Sequence, residues 1–112
     1  PSGSTAYSLS AGGPVVSPEI EAIILTPISP HSFTQKPILL PSTSRIKVEL
    51  SLRSQERVNL TVDGQIGFHL KEHDVVKIKK SSKTLRFIRL RNATYFQMLR
   101  KKLHWGTDLE GR

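Results

Sequence analysis

Apolar and polar residues alternate in the second half of the chain with the period of two that is typical of a strand with one buried face. Single polar or charged residues separate the apolar positions of 46–52, and the same spacing recurs in 58–62 and 66–70. The segments 75–79 and 84–91 are predicted as two further strands.

A hairpin is predicted between two of these strands, because Asp63-Gly64 is a strong turn signal. A loop of those two residues alone would place Val62 opposite Gln65 and send Ile66 to the wrong face. A loop that also contains Gln65 places Val62 opposite Ile66. We predict the longer loop, since a register shift of one residue would expose a whole apolar set.

The first part of the chain is rich in proline, with all seven prolines before residue 42. A short helix is predicted over 6–11, with Ser4 or Thr5 as its cap and glycine and proline after its end. Strands bounded by prolines are predicted at 22–26 and 38–40.

Helical spacing of apolar residues returns near the end of the chain, in 95–103, beside three consecutive basic residues. It predicts an amphipathic helix. The fold class that we predict is therefore mainly β, with antiparallel sheets, a short N-terminal helix and a C-terminal amphipathic helix.

Composition narrows the functional classes. The 112 residues suffice for one domain, and 17 Lys and Arg against 9 Asp and Glu give a net charge of +8. Such a charge favours anionic partners. The absence of cysteine excludes disulfides, iron–sulfur sites and a cysteine nucleophile, and no apolar run has the length of a membrane span.

Motifs of metal or hydrolytic chemistry are missing from the sequence. His69 and His73 lie close together but have no third ligand nearby, so we predict no metal site. Neither an H-E-x-x-H pair nor a G-x-S-x-G elbow is present. The basic residues of 77–91 would suit nucleic acid, but only Phe87 interleaves them, which favours a solvated face.

The N-terminal turn is the best candidate for a ligand site. Glycine and serine before a helix let a ligand approach the backbone closely, as a phosphate or a base edge does. Tyr7 follows this turn, where its ring would stack on a purine. An ordinary capped helix with a half-buried tyrosine accounts for the same residues.

The run Gly3–Pro14 resembles the signature segment of NAD kinases. The similarity continues in order along the chain. It includes Thr26–Ser32 with Lys36-Pro37-Ile38, the turn Val62–Gln65, and the closing Tyr95-Phe96, Leu99, Lys102-Leu103 and Trp105-Gly106.

This resemblance implies an enzyme that transfers a phosphoryl group from ATP or polyphosphate to the 2′-hydroxyl on the adenosine ribose of NAD. It implies a divalent metal, Mg, that accompanies ATP. It also implies a cytoplasmic homo-oligomer, a dimer or tetramer, with neither nucleic acid nor membrane as partner. The resemblance further assigns residues. Contacts with NAD fall to Thr5, Ala6, Tyr7, Ser10 and Ser29, and the diphosphate side of the cleft to Asp63, Gly64 and Gln65.

Two segments of the family pattern are absent from the chain, a Gly-Gly-Asp-Gly run and an Asn-Glu pair. Both are expected upstream of Pro1. We therefore expect residues 1–112 to be a partial C-terminal NAD-binding domain that contains no catalytic residue and is inactive alone. Two alternatives stay open at this point, a basic β module that binds RNA and the C-terminal domain of a related lipid kinase.

Overall fold

The computed structural model describes residues 2–32, 34–51, 57–88 and 94–106. This described part is mainly β, as predicted, with strands paired into two-stranded antiparallel sheets. The chain forms two compact units, residues 1–82 and residues 83–112. In the described residues neither α-helix has the length and apolar character needed to cross a bilayer.

The N-terminal helix is confirmed in a shorter form than predicted. A 3-10 turn spans Ser2–Thr5, and helix α1 spans Tyr7–Ser10. The predicted cap is wrong, because the residue at the cap position is Ala6, which makes no side-chain capping bond. Gly12 follows the helix with a φ of 87°, in the left-handed region that glycine adopts without steric cost.

Strands β1, Ala22–Leu25, and β2, Ile38–Pro41, pair with Ala22 opposite Pro41 and Leu25 opposite Ile38. Each predicted strand is thus confirmed to within one residue. Proline at the end of β2 is compatible with the pairing because its missing N–H lies at a strand terminus.

Strand β3, Ile46–Glu49, pairs antiparallel with β6, Val75–Ile78, although two other strands separate them in the sequence. The predicted strand over 46–52 is shorter in the structure. Leu50 continues the pairing through bonds of 3.1 Å to the carbonyl of Asp74 and 3.0 Å from the N–H of His73. Position 52 lies outside the described residues.

The hairpin of β4, Val58–Val62, and β5, Ile66–Leu70, has the predicted register, with Val62 opposite Ile66. Asp63 and Gly64 both have positive φ, 51° and 68°. The N–H of Gln65 donates to the carbonyl of Val62 at 3.1 Å. Asp63-Gly64 therefore makes the tight turn, and the extra residue restores the parity of the apolar faces.

In the second unit, helix α2 spans Tyr95–Leu103 and confirms the predicted amphipathic helix. Its start is held by a capping box, in which Thr94 and Gln97 exchange side-chain and backbone bonds. The strand predicted over 84–91 is wrong for 84–88, which join no sheet in the described part. Positions 89–91 lie outside the described residues.

Buried apolar side chains are few in the described residues, and Val16 and Leu99 are the two below one-tenth exposure. Apolar residues of the two-stranded sheets, such as Ile38 and Phe68, are about half exposed. The order around the N-terminal segment of the first unit must therefore come largely from hydrogen bonds.

Candidate functional site

The N-terminal segment is closed into a loop by one buried side chain. The Ser4 hydroxyl accepts a bond from the Val16 N–H at 3.0 Å and donates one to the Val16 carbonyl at 3.2 Å. Ser4 is 2% exposed and Val16 is 5% exposed. Because water does not reach this point, the two bonds hold the start and the end of the loop together.

A second contact ties helix α1 to the end of strand β1. The hydroxyls of Ser8 and Thr26 are hydrogen-bonded at 2.8 Å, and the N–H of Gly13 donates to the Ser8 carbonyl at 2.7 Å. A Cβ at position 13 would stand 2.7 Å from that carbonyl oxygen and 2.8 Å from the Thr26 hydroxyl. Only glycine allows this close approach of the three chain segments.

A cleft of about 200 Å³ opens where these segments meet. Tyr7 stands at the cleft with 67% of its surface exposed. An exposed ring beside an apolar floor suits the flat face of a base or another aromatic ring. The lining consists of Tyr7, Ser8, Ala11, Ile24, Thr26 and Ile28.

A neighbouring cavity of about 350 Å³ is lined by the 3-10 turn and by β1, through residues 3–4 and 22–24. Ser8 and Ile24 line this cavity and the cleft alike. The Ser8 side chain thus forms part of the wall between the two spaces, and its bond to Thr26 fixes that wall.

Glu21, the residue before strand β1, makes two side-chain contacts. The carboxylate of Glu21 accepts bonds from the Lys80 ammonium and, at 3.0 Å, from the Ser42 hydroxyl. These bonds lower the pKa of Glu21, with Lys80 the larger cause, because both favour the charged form. Ser42 follows β2 and Lys80 follows β6, so the contact connects the ends of two sheets.

Comparison with known families identifies the proteins to which this chain is similar. The family described as the ATP-NAD kinase C-terminal domain matches residues 1–90. The chain belongs to the NAD kinase family. The matched range contains the cleft, its neighbouring cavity and the three sheets of the described residues, and the signature run Gly3–Pro14 lies at its start.

Relatives named NAD kinase align with nearly all of the chain. The protein of Geobacter sp. (strain M21) is 48% identical and that of Solibacter usitatus 51% identical, each over 95% of the chain and 37% of the relative. The protein of Moorella thermoacetica is 46% identical over 95% of the chain and 34% of the relative. The chain thus spans little more than a third of the length of these NAD kinases.

Four of the five residues that the resemblance assigned to NAD lie within the loop that the Ser4–Val16 bonds close. Tyr7 lines the cleft, Thr5 is half-buried, and Ala6 and Ser10 are exposed. The N–H of Ala6 donates to the Gly3 carbonyl at 3.0 Å, so the turn itself uses this donor. Ser29 follows the cleft residue Ile28 and has a φ of 46°.

The residues assigned to the diphosphate side are elsewhere in the first unit. Asp63, Gly64 and Gln65 form the exposed tip of the β4–β5 hairpin. They line neither the cleft nor its neighbouring cavity. Their role in binding remains a prediction.

Sequence reasoning gave no role to Ser8 and Thr26, which join the two sides of the cleft. Each lies within a block that resembles NAD kinases, and this was the available signal. Spacing alone could not pair them, because 18 positions separate the two hydroxyls. Ile24 was predicted only as a strand residue, yet it lines both cavities.

Ligands for a metal are not gathered in the described part of the chain, where no three His, Asp or Glu side chains lie close enough to hold an ion. We assign no metal ligand among these residues.

Proposed function

We propose that this chain supplies the NAD-binding surface of an NAD kinase, which transfers a phosphoryl group from ATP or polyphosphate to the 2′-hydroxyl on the adenosine ribose of NAD. The observation that carries the proposal is the braced cleft beside Tyr7, located in the segment that matches the family. Its walls are held by bonds within the first unit, so little ordering is needed when a ligand enters.

Tyr7 is the principal contact in this proposal. Its exposed ring packs beside the adenine of NAD, where an aromatic face contributes about 1–3 kcal/mol. Thr5, Ala6 and Ser10 contact the same nucleotide from the loop around α1, and Ser29 lies toward the nicotinamide ribose, contributed by a neighbouring subunit. The hairpin tip, residues 63–65, faces the diphosphate.

The chain provides binding rather than phosphoryl transfer. Transfer requires a positioned nucleophile, a metal and neutralisation of charge on the phosphates. The family segments associated with that chemistry are not in residues 1–112, and the described residues gather no metal ligands. We propose that Mg accompanies ATP, and that the 112-residue chain alone forms no NADP.

The surplus of 17 Lys and Arg over 9 Asp and Glu assists this role, because NAD and ATP are polyanions and a positive field raises their encounter rate. The proposed enzyme is a homo-oligomer of the cytoplasm, as the family implies.

The test is the affinity of the intact protein for NAD after changes at Tyr7. Tyr7→Ala should raise the Kd and the KM for NAD about 10-fold or more, since it removes the stacking face. Tyr7→Phe keeps the ring and should stay within about twofold of wild type. The KM for ATP should be unchanged in both variants. Equal NAD affinity for Tyr7→Ala and wild type would contradict the proposal that NAD binds at the cleft.

The inactivity of the chain alone is tested by an assay for NADP formation with ATP, magnesium and NAD. Turnover by residues 1–112 at the rate of an intact NAD kinase would refute that part of the proposal. The NAD contact at Tyr7 is tested separately, by the affinity measurements.

A further inference from the structure

A pair of hydroxyl groups joins helix α1 to the end of strand β1. The side chains of Ser8 and Thr26 are hydrogen-bonded at 2.8 Å across 18 positions of the sequence, and the contact is partly buried. Both residues line the cleft beside Tyr7. In the described part of the chain, no other residue of α1 is hydrogen-bonded to a residue outside the loop that Ser4 and Val16 close. The pair is therefore the hydrogen-bonded link from α1 to β1.

Thr26 is the fixed member of the pair. It follows Leu25, which is paired with Ile38 of the adjacent strand. It precedes Pro27, and a residue before proline has a restricted backbone. Its branched side chain also has few χ1 rotamers. The Thr26 hydroxyl is thus a well-defined point to which α1 is bound.

Helix α1 needs such a point of attachment. It has four residues, and its cap position is Ala6, which makes no side-chain capping bond. So short a helix is marginal in water without tertiary contacts. The Tyr7 side chain is 67% exposed, so packing of the ring itself restrains it little. The position of the ring is therefore decided by the next residue, Ser8, whose hydroxyl is bound to Thr26.

Gly13 holds Ser8 from a second direction. The buried Gly13 donates its N–H to the Ser8 carbonyl at 2.7 Å. A Cβ at position 13 would collide with the Ser8 hydroxyl oxygen as well as with this carbonyl. Ser8 is thus bound through its carbonyl to one chain segment and through its hydroxyl to another.

We propose that Ser8 and Thr26 are positioning residues for the nucleotide, because their bond holds α1 at the separation from β1 at which the Tyr7 ring and the apolar floor of the cleft contact the same base. The inference rests on the proposed NAD contact at Tyr7. Loss of either hydroxyl lets α1 move away from β1, so the cleft is ready to bind for a smaller fraction of the time. The apparent Kd for NAD rises as that fraction falls.

The test compares variants of the intact protein by NAD titration and by steady-state kinetics. Thr26→Val removes one hydroxyl and keeps the branched shape, and Ser8→Ala removes the other hydroxyl. Each should raise the Kd and the KM for NAD about 3- to 10-fold, as expected for the loss of one hydrogen bond. Thr26→Ser keeps a hydroxyl and should stay within about twofold of wild type. The control Thr61→Val makes the same change at an exposed position of β4 and should bind NAD like wild type.

The kinetic constants separate positioning from general damage to the fold. The kcat at saturating NAD and the KM for ATP should stay within about twofold of wild type, because saturating NAD repopulates the binding-competent cleft. The double variant with Ser8→Ala and Thr26→Val should bind NAD no more weakly than either single variant, since the same bond is missing in all three. Multiplied losses in the double variant would overturn the proposal. A lowered kcat with an unchanged KM for NAD would also overturn it.

A measurement without NAD examines the link itself. Exchange of the Gly13 amide hydrogen, followed by NMR, should be faster in Thr26→Val than in Thr26→Ser or wild type, because the Ser8 carbonyl that accepts its bond is held less firmly. Equal exchange rates in the three proteins would overturn the proposal.

The Tyr7 variants distinguish failure of this proposal from failure of the proposed function. If Tyr7→Ala loses NAD affinity while Thr26→Val and Ser8→Ala keep it, the hydroxyl pair does not position the nucleotide, and the NAD contact at Tyr7 stands. If Tyr7→Ala keeps full affinity, the NAD contact is refuted, and the positioning role is refuted with it.

Discussion

The Ser4 hydroxyl makes hydrogen bonds to the N–H and to the carbonyl of one residue, Val16, at 3.0 and 3.2 Å. A single buried side chain thus replaces the two bonds that a strand partner would offer to that backbone position. The loop between Ser4 and Val16 contains α1 and the consecutive glycines 12 and 13. The two bonds therefore determine where Tyr7 stands relative to β1.

Replacement of Ser4 by alanine should therefore be costly. Ser4→Ala leaves the buried backbone groups of Val16 without these bonds, and the free energy of unfolding should fall by about 1–3 kcal/mol. The measurement is urea denaturation of the intact protein. Ser17→Ala is the matched control, because that hydroxyl makes a long bond of 3.4 Å to the N–H of Glu19 at an exposed position. Equal losses in the two variants would contradict the special role of Ser4.

Position 13 should accept only glycine. Gly13→Ala places a Cβ 2.7 Å from the Ser8 carbonyl oxygen and 2.8 Å from the Thr26 hydroxyl, so α1 must move away from β1. We expect a loss of about 1–3 kcal/mol in unfolding free energy and weaker NAD binding. Gly67→Ala is the control, since a Cβ there meets nothing within 4 Å. Gly13→Ala with wild-type stability and NAD affinity would show that the cleft tolerates this displacement.

The contact of Glu21 with Lys80 should appear as a pH dependence. In the folded state the pKa of Glu21 is lowered below the usual 4.5. The ionised carboxylate therefore contributes stability at pH values above 4.5. That contribution is lost as the pH falls through 4.5 toward the folded-state pKa. Lys80→Gln should therefore destabilise the protein at neutral pH and cease to differ from wild type in acid.

The measurement for Glu21 is an NMR titration of its carboxylate together with thermal melts across this pH range. Lys79→Gln serves as the control, because it removes the same charge next to Lys80 without breaking an ion pair of the described residues. An unchanged carboxylate pKa in Lys80→Gln would contradict the assigned cause.

Local signals predicted those elements whose stabilising contacts are near in sequence. The hairpin is one example, where Asp63-Gly64 and the alternation around it required both a tight turn and an extra residue, and the structure contains both. Helix α2 is another, with a capping box whose Thr94 and Gln97 are three positions apart. An x-Thr-x-x-Gln pattern could have placed the start of this helix.

Alternation failed where a strand needs a partner that the sequence does not specify. In residues 84–88 Arg86 stands between the apolar Leu85 and Phe87, yet Leu85 is 78% exposed and Ile88 is 91% exposed, and no sheet includes them in the described part. A strand is stabilised by bonds to another strand, so its pattern is a necessary condition and not a sufficient one.

The sequence by itself determined the mainly β class, the hairpin register and the family. The tertiary structure decided the rest. Ser4, predicted as a cap, is instead bound to Val16, and Ser8 meets Thr26. The pairing of β3 with β6 gathers lysines that are 30 positions apart, as Lys47 and Lys77 are. Such contacts join residues far apart along the chain, and only the folded backbone brings their polar groups within bonding distance.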